Sequence, residues 1–430
     1  MRQMSINNPK SEKRSNFWVY FSLLFIIAID AMCFGLVYPV FILIFTPGTG
    51  GLFTEGFSII RADILFGIAM ACFPIGTLLG GPLLGDFSDQ IGRKKVLLFC
   101  LIGECAGLLL FAVSIALKSV LLLSIMRFIT GFMAGTVGLA QAAIVDISPQ
   151  EKKTVNLSFV SLAASVGFII GPLFGGIFAK DFFIKIFGYM MPFYFASLMC
   201  ILSILMIFFL FNETSPSRKA TKISVTKGLK DLRHGFTDKK FRKVSYTLLL
   251  MQTAWCIYFQ TITVSIVQVL NLSVDALTLY MVVLCVCYAF TMLILVRYAV
   301  KFLKIETMLI AGMSIFLIGL IIGSFMNIII IWIALLPIAM GVGLSYMAIL
   351  TLFSNYSDKD SQGLAMGTAA AISSAGWFAG PLISGLLISF NRYMPFIACW
   401  ILIAIGLGFC VILLYKRIVE REPDNKSLIV

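Results

Sequence analysis

The chain alternates between long apolar runs and short polar stretches along its 430 residues. Each apolar run is long enough for an α-helix to cross a bilayer, which takes about 20 residues. We therefore predict twelve membrane-spanning helices. Their approximate bounds are 17–46, 62–85, 95–117, 120–145, 154–179, 188–211, 244–270, 275–296, 305–326, 328–354, 363–390 and 394–415.

The composition supports a membrane protein. Hydrophobic residues make up 60% of the chain and charged residues 12%, whereas soluble proteins carry about 25% charged residues. These values exclude a soluble globular fold and a disordered chain. The fold class is therefore predicted to be all-α, with little structure outside the membrane.

The basic residues indicate the orientation. Of the 33 Lys and Arg residues, 27 lie in the two tails and in the loops that follow even-numbered helices. By the positive-inside rule, we expect both termini to be cytoplasmic and the protein to lie in the cell inner membrane. This distribution explains the net charge of +13, so nucleic acid is not expected as a partner.

The predicted organisation has two bundles of six helices. It consists of an N-terminal tail (1–16), a first bundle (17–211), a basic linker (212–243), a second bundle (244–415) and a C-terminal tail (416–430).

Part of the linker has the spacing of an amphipathic helix. We predict such a helix on the inner leaflet of the membrane. A disordered tether is the alternative. The apolar positions are Leu229, Leu232 and Phe236, and the basic ones are Lys227, Lys230 and Arg233.

The two bundles share a sequence pattern. The segment from Gly167 to Gly176 in helix 5 returns as the segment from Gly376 to Gly385 in helix 11. A weak repeat in a chain of six plus six helices is typical of the major facilitator architecture, with two pseudo-symmetric halves.

The loop between helices 2 and 3 carries a second motif. Gly85 and Gly92 allow a tight reversal, and Asp89 and Arg93 are four residues apart, so that they can pair. The stretch resembles the loop signature of the major facilitator superfamily. The resemblance implies that Asp89 reaches the start of helix 11 and holds the halves together on the cytoplasmic side. Alternatively, the basic residues only set the topology.

The helix 5 segment resembles the antiporter signature GxxxGPxxGG of proton-coupled exporters in that superfamily. The matching residues are Gly167, Gly171, Pro172, Gly175 and Gly176. The resemblance implies export, whereas the physical alternative is close packing through small residues.

Three ionisable residues are predicted to lie well inside the bilayer, namely Asp30, Glu104 and Arg127. Each costs about 2.5–3.5 kcal/mol on insertion scales and is therefore a functional candidate. Helices 1 and 4 around Asp30 and Arg127 resemble those of tetracycline and multidrug efflux carriers, which implies a role in proton coupling. A static buried ion pair is the alternative.

The second bundle contributes uncharged polar and aromatic groups instead. An apolar cavity with few hydrogen-bonding groups suits a flat hydrophobic ligand, although each of these residues could equally serve in packing. They are Gln252, Trp255, Tyr258, Gln260, Tyr280, Tyr288, Tyr346 and Trp377.

Other chemistry finds no support in the sequence. The single histidine, His234, lies in the basic linker, the ten cysteines lie in apolar runs, and there is no phosphate-binding loop. We expect no cofactor, no metal site and no enzymatic activity.

The expected function is a proton-coupled antiporter that exports a small hydrophobic or amphipathic molecule, a drug-like compound or a siderophore, by alternating access. Its partners are the substrate, protons and lipid, and we expect a monomer. The alternatives are a proton-coupled importer of a small metabolite or siderophore, and a receptor or adaptor that does not transport.

Overall fold

A computed structural model describes residues 9–149, 153–180, 187–214, 224–358 and 361–421. Residues 1–8, 215–223 and 422–430, which belong to the predicted tails and linker, lie outside the described residues.

All regular structure in the described part is helical. The membrane helices are span 1 (Pro9–Phe45), span 2 (Ile59–Ile91), span 3 (Arg93–Ala116), span 4 (Val120–Met133 and Thr136–Ile147), span 5 (Lys153–Phe178), span 6 (Met191–Leu210), span 7 (Arg242–Gln268), span 8 (Val274–Phe290 and Val296–Phe302), span 9 (Ile305–Gly323), span 10 (Ile328–Asn355), span 11 (Gln362–Phe390) and span 12 (Met394–Arg421).

Twelve helices of the described chain are long and apolar enough to cross a membrane. The prediction of twelve spans is thus confirmed. Span 2 extends to Ile91 and span 12 to Arg421, several residues beyond the predicted ends. A π-helical turn (Thr291–Leu295) joins the two parts of span 8, and a short 3₁₀ turn (Gly188–Met190) precedes span 6. The exact domain boundaries stay predictions.

We call the side on which span 1 begins the near side and the opposite side the far side. Four spans that begin on the far side carry a side-chain cap on their first turn. The hydroxyl of Ser119 accepts from the Leu122 N–H at 3.2 Å, and Asn327 Oδ1 accepts from the Ile329 N–H at 2.9 Å. Ser58 and Ser273 cap spans 2 and 8 in the same way. These caps satisfy N–H groups that a helix leaves unpaired.

Span 5 packs on span 1 through a row of glycines. A methyl group at Gly167 would lie 2.1 Å from the carbonyl oxygen of Ala28, and one at Gly171 would lie 2.4 Å from that of Met32. One turn further, a methyl group at Gly175 would lie 2.6 Å from the Leu36 carbonyl. Both helices advance by four residues per contact, so the two backbones run side by side at a distance that only glycine permits.

The same arrangement recurs between spans 11 and 7. A methyl group at Gly376 would lie 2.8 Å from Gln252 Cβ, and one at Gly380 would lie 2.6 Å from Cys256 Cβ. One turn on, the hydroxyls of Ser384 and Thr261 are hydrogen-bonded at 3.0 Å. The sequence repeat therefore corresponds to a repeat of packing.

The two halves pack directly on each other at the far side. The backbone of Gly176 in span 5 lies against the side chain of Thr278 in span 8, where a methyl group would come within 2.0 Å. Its counterpart Gly385 in span 11 lies against the backbone of Asp63 in span 2, where the corresponding distance is 2.7 Å. Both contacts join a span of one half to a span of the other.

The span 1–span 5 packing predicts a clear effect of Gly171→Ala. The added methyl group has no room beside Met32, and overpacking of this kind costs about 1–3 kcal/mol. The unfolding temperature of the purified protein in detergent should fall. Gly138→Ala in span 4 is the matched control, because no atom lies within 4 Å of a methyl group there. Equal unfolding temperatures for the two variants would contradict the packing role.

Candidate substrate and proton site

A small cavity lies within the first half, lined by residues of spans 1, 2, 3, 4 and 6. The space open to water-sized molecules is about 20 Å³, enough to hold about one water. Its lining residues are Asp30, Cys33, Phe34, Val37, Phe73, Glu104, Leu108, Phe111, Arg127, Thr130 and Phe193. The three ionisable residues predicted from the sequence thus share one cavity.

Asp30 and Glu104 bring their carboxyl groups together from spans 1 and 3. The two groups interact directly. Glu104 is deeply buried, with 5% of its surface exposed, whereas Asp30 is half-buried. Because span 1 is fixed by its glycine contacts with span 5, the direction in which Asp30 points is set by that packing.

Arg127 enters the same cavity from span 4. That helix packs closely on span 2, since a methyl group at Gly131 would lie 2.1 Å from the Phe73 carbonyl oxygen. The guanidinium carbon of Arg127 lies 4.7 Å from the ring centre of Phe73 and 5.6 Å from that of Phe41. Two aromatic faces therefore stabilise the cation through cation–π contacts.

The alternative of a static ion pair is wrong for this conformation. Among the side chains that the structure describes, no carboxylate forms an ion pair with Arg127 within 4.0 Å. The two acids that line the cavity contact each other instead, and the guanidinium lies over two phenyl rings. The sequence could not distinguish an ion pair with Arg127 from a contact between the two acids. It indicates that a charged residue lies within a membrane helix, but not which side chain it contacts.

Two thiols adjoin the carboxyl pair. The sulfur atoms of Cys33 and Cys200 and a carboxylate oxygen of Glu104 lie within 4.8 Å of one another. The two thiols are hydrogen-bonded to each other next to the carboxyl group. Cys105, the neighbour of Glu104 in the chain, donates instead to the Ser197 carbonyl oxygen at 3.7 Å.

The predicted cavity residues of the second half do not line this cavity. Tyr258 and Tyr280 are fully buried and their hydroxyls are hydrogen-bonded to each other, which is a packing arrangement. Gln252 and Trp255 are also buried, and Tyr288 and Tyr346 are half-buried. Their role in substrate binding stays a prediction.

One member of this set reaches the first half. The ring of Trp377 lies 5.3 Å from that of Phe34, which lines the cavity. Nearby, Tyr38 and Phe259 pack edge to face across the two halves, with ring centres 4.6 Å apart. The boundary between the halves is therefore aromatic next to the cavity.

The loop between spans 2 and 3 is held by an acid that the sequence motif does not contain. Glu213, just after span 6, accepts hydrogen bonds from the backbone N–H groups of Arg93 (2.8 Å) and Lys94 (3.2 Å). A methyl group at Gly92 would lie 2.3 Å from this carboxylate, and the φ angle of Gly92 is +107°. Only glycine meets both requirements.

The predicted pair of Asp89 and Arg93 is present, with a distance of 3.4 Å. Arg93 also pairs with Asp146 at the end of span 4. Both contacts stay within the first half. The reach of Asp89 to the start of span 11 stays a prediction, as does the role of Gly85.

The linker helix (Lys227–Thr237) is present where the sequence predicted a helix, and its place on the inner leaflet stays a prediction. It docks against spans 2 and 11 on the near side. A methyl group at Gly228 would lie 2.0 Å from the Leu78 carbonyl oxygen in span 2, and Gly235 lies against Ile372 in span 11. The predicted apolar positions Leu232 and Phe236 pack on the hydrophobic core, but the closest contacts are made by the two glycines, which amphipathic spacing does not single out.

An ion pair holds the linker helix to the first half. Lys227 donates to Asp86 Oδ1 at 2.5 Å, and the Asp86 side chain is buried.

On the other half, Asp231 of the linker helix lies beside Gly367 of span 11. Burial raises the pKa of the Asp231 carboxyl, against the opposing effect of the positive charge of Lys227. The linker helix thus connects both halves on the near side.

Two further buried acids lie closer to the ends of spans. Asp63 is near the far-side end of span 2, and Glu306 is in the first turn of span 9. Asp86, Asp146 and Glu213 were likewise not predicted as functional. Asp86 lies within the motif between helices 2 and 3, which was the one available signal for it. Glu213 carries no sequence signal, because its contact depends on the tertiary fold.

Twelve membrane helices in two pseudo-symmetric six-helix halves, with charged residues facing an internal cavity, are the architecture of a secondary transporter whose halves are parallel repeats. The chain belongs to the Major Facilitator Superfamily, whose sequence profile matches residues 20–357 and 264–429. It is a multi-pass membrane transporter and not an enzyme.

Known proteins agree with this assignment. The chain is 26% identical to the tetracycline resistance protein, class H, of Pasteurella multocida, over 95% of this chain and 98% of that protein. It is 27% identical to the quinolone resistance protein NorA of Staphylococcus aureus, over 82% and 87% of the two chains. Its fold is similar to that of a bacterial homolog of the human lysosomal transporter Spinster in an inward-facing, unoccupied conformation, with a TM-score of 0.71, 14% identity and coverage of 93% and 96%.

The docked linker helix predicts that Lys227→Ala loosens it. The buried Asp86 carboxylate would lose its donor, which costs about 1–3 kcal/mol. Amide hydrogen exchange across 227–237 should accelerate by about tenfold, since each 1.4 kcal/mol is a factor of ten. Lys230→Ala, which removes an exposed lysine of the same helix, is the control and should leave exchange unchanged. Equal exchange in the two variants would argue against the ion pair.

Proposed function

We propose that this transporter is a proton-coupled antiporter that exports a small hydrophobic or amphipathic molecule. The observation that carries the proposal is the pair of adjacent carboxyls, Asp30 and Glu104, in a cavity that also contains an unpaired arginine. The resistance proteins to which the chain is similar support a drug-like substrate.

The acids can exchange protons because they lie next to each other and are not neutralised by Arg127. Two carboxyls in contact do not both ionise easily, so one of them tends to hold a proton. A cation that approaches either acid favours its ionised form. Movement of span 4 relative to spans 1 and 3 would therefore change how tightly the pair holds its proton.

Direct packing of the halves at the far side and the docked linker helix on the near side fit a carrier that opens to one side at a time. We assign the near side to the cytoplasm from the distribution of basic residues, in a cell inner membrane. The conformation described here would then close the outer side. Proton entry from outside and substrate entry from the cytoplasm would alternate as the halves rock around the cavity.

The coupling role of Asp30 can be tested in inverted membrane vesicles. Uptake of norfloxacin or tetracycline, driven by an imposed pH gradient, should fall in Asp30→Asn to the level seen without a gradient, because an amide cannot carry the proton. Glu104→Gln should have the same effect. Glu306→Gln, a buried acid outside the cavity, is the control and should retain coupled uptake.

The same measurement distinguishes the alternatives. An importer would accumulate the compounds in right-side-out vesicles when protons flow inward, and would not accumulate them in inverted vesicles. A receptor or adaptor would give no gradient-driven uptake in either orientation. Coupled uptake that survives in Asp30→Asn would overturn the role of the carboxyl pair.

A further inference from the structure

Arg127 is a buried cation whose hydrogen-bonding capacity is not filled by the protein. Only 4% of its surface is exposed, and its Nε–H group has no hydrogen-bond partner in the described part of the chain. Burying such a group without a partner is costly. Its retention at the wall of a cavity indicates that the partner arrives from elsewhere.

The chain has acids that could serve as that partner but places them apart. Asp30 and Glu104 line the same cavity and contact each other, and neither forms an ion pair with Arg127. The planar guanidinium presents its donors as a fork that matches a carboxylate at two points. A carboxylate from a ligand would satisfy the geometry that the protein leaves open.

The surroundings of Arg127 are aromatic. The guanidinium lies over the rings of Phe41 and Phe73, and Phe34, Phe111 and Phe193 line the cavity. The space is too small for a drug-sized molecule in this conformation, but it suits the end of one. Phe34 also contacts Trp377 of the other half, so an aromatic body would extend from the cavity toward the boundary between the halves.

We propose that Arg127 binds a carboxylate group of the transported molecule, and hence that the preferred substrates are aromatic or apolar carboxylates. This inference rests on the proposed transport function. It adds that the arginine, besides its effect on the proton affinity of the carboxyl pair, binds the anionic group of the substrate in the same cavity.

The test compares aromatic acids with their methyl esters, which keep the aromatic body and lose the charge. We would measure equilibrium binding of 2-naphthoate, 1-pyrenebutyrate and their esters to purified protein in detergent at pH 7, with no proton gradient. The wild type should prefer each acid by about tenfold or more, as expected for charge-assisted hydrogen bonds to a buried guanidinium. Arg127→Gln should abolish this preference.

Two further variants keep the result interpretable. Arg127→Lys preserves the charge but not the fork and should give an intermediate preference, which also guards against misfolding of Arg127→Gln. Arg392→Gln removes an arginine on the far side, outside the cavity, and should retain the wild-type preference. Equal binding of acid and ester by the wild type, binding of neither, or a preference that survives Arg127→Gln would overturn the inference.

The binding assay and the vesicle assay test the carboxylate site and the antiport function independently. The binding assay contains no gradient and does not involve proton release. The vesicle assay with Asp30→Asn does not depend on acid preference. An absent acid preference with intact coupled uptake would refute only the role of Arg127, whereas acid preference without coupled uptake would refute the antiport mechanism.

Discussion

The close contact between spans 1 and 5 is the interaction on which the site depends. In a bilayer, the lipid tails are as apolar as the helix surfaces, so association relies on packing and hydrogen bonds. Gly167 and Gly171 remove the side chains that would keep the backbones apart. Because the contacts recur every four residues on both helices, they fix the rotation of span 1 as well as its distance. The direction of Asp30 follows from that rotation, and so does its encounter with Glu104.

The sequence repeat produces the same close helix packing in the second half of the molecule. Gly376 and Gly380 pack span 11 on span 7 as their counterparts pack span 5 on span 1. At the far-side end of each segment, the last glycine contacts the opposite half. Gly176 and Gly385 therefore lie at equivalent places in the interface. Separation of the halves on that side must release both contacts, so opening there is expected to be concerted.

Much of the fold could be predicted from the sequence, because a long apolar run has few alternatives to a membrane helix. The importance of Asp30, Glu104 and Arg127 followed from the cost of placing charges in lipid. Their pairing did not follow, since contacts between helices depend on rotations that hydropathy does not encode.

The linker and the loop between spans 2 and 3 illustrate the same limit. The linker helix was predicted from spacing, and its apolar positions Leu232 and Phe236 do pack on the core, yet its closest contacts are made by two glycines that an amphipathic pattern does not single out. Similarly, Gly92 was predicted to allow a tight reversal, but the carboxylate of Glu213 that fills the space beside it comes from the segment after span 6, far along the chain.

The docked linker helix sets a distance between the two halves. Gly228 rests on span 2 and Gly235 on span 11, and seven residues of helix advance about 10 Å along the axis. While the helix stays rigid and docked, spans 2 and 11 are held apart at these contacts by a distance comparable to the width of a helix. Closing or widening the near side then requires the linker helix to slide, tilt or detach. The chain that joins the halves thus also acts as a spacer, and its detachment would be one elementary step in the change of access.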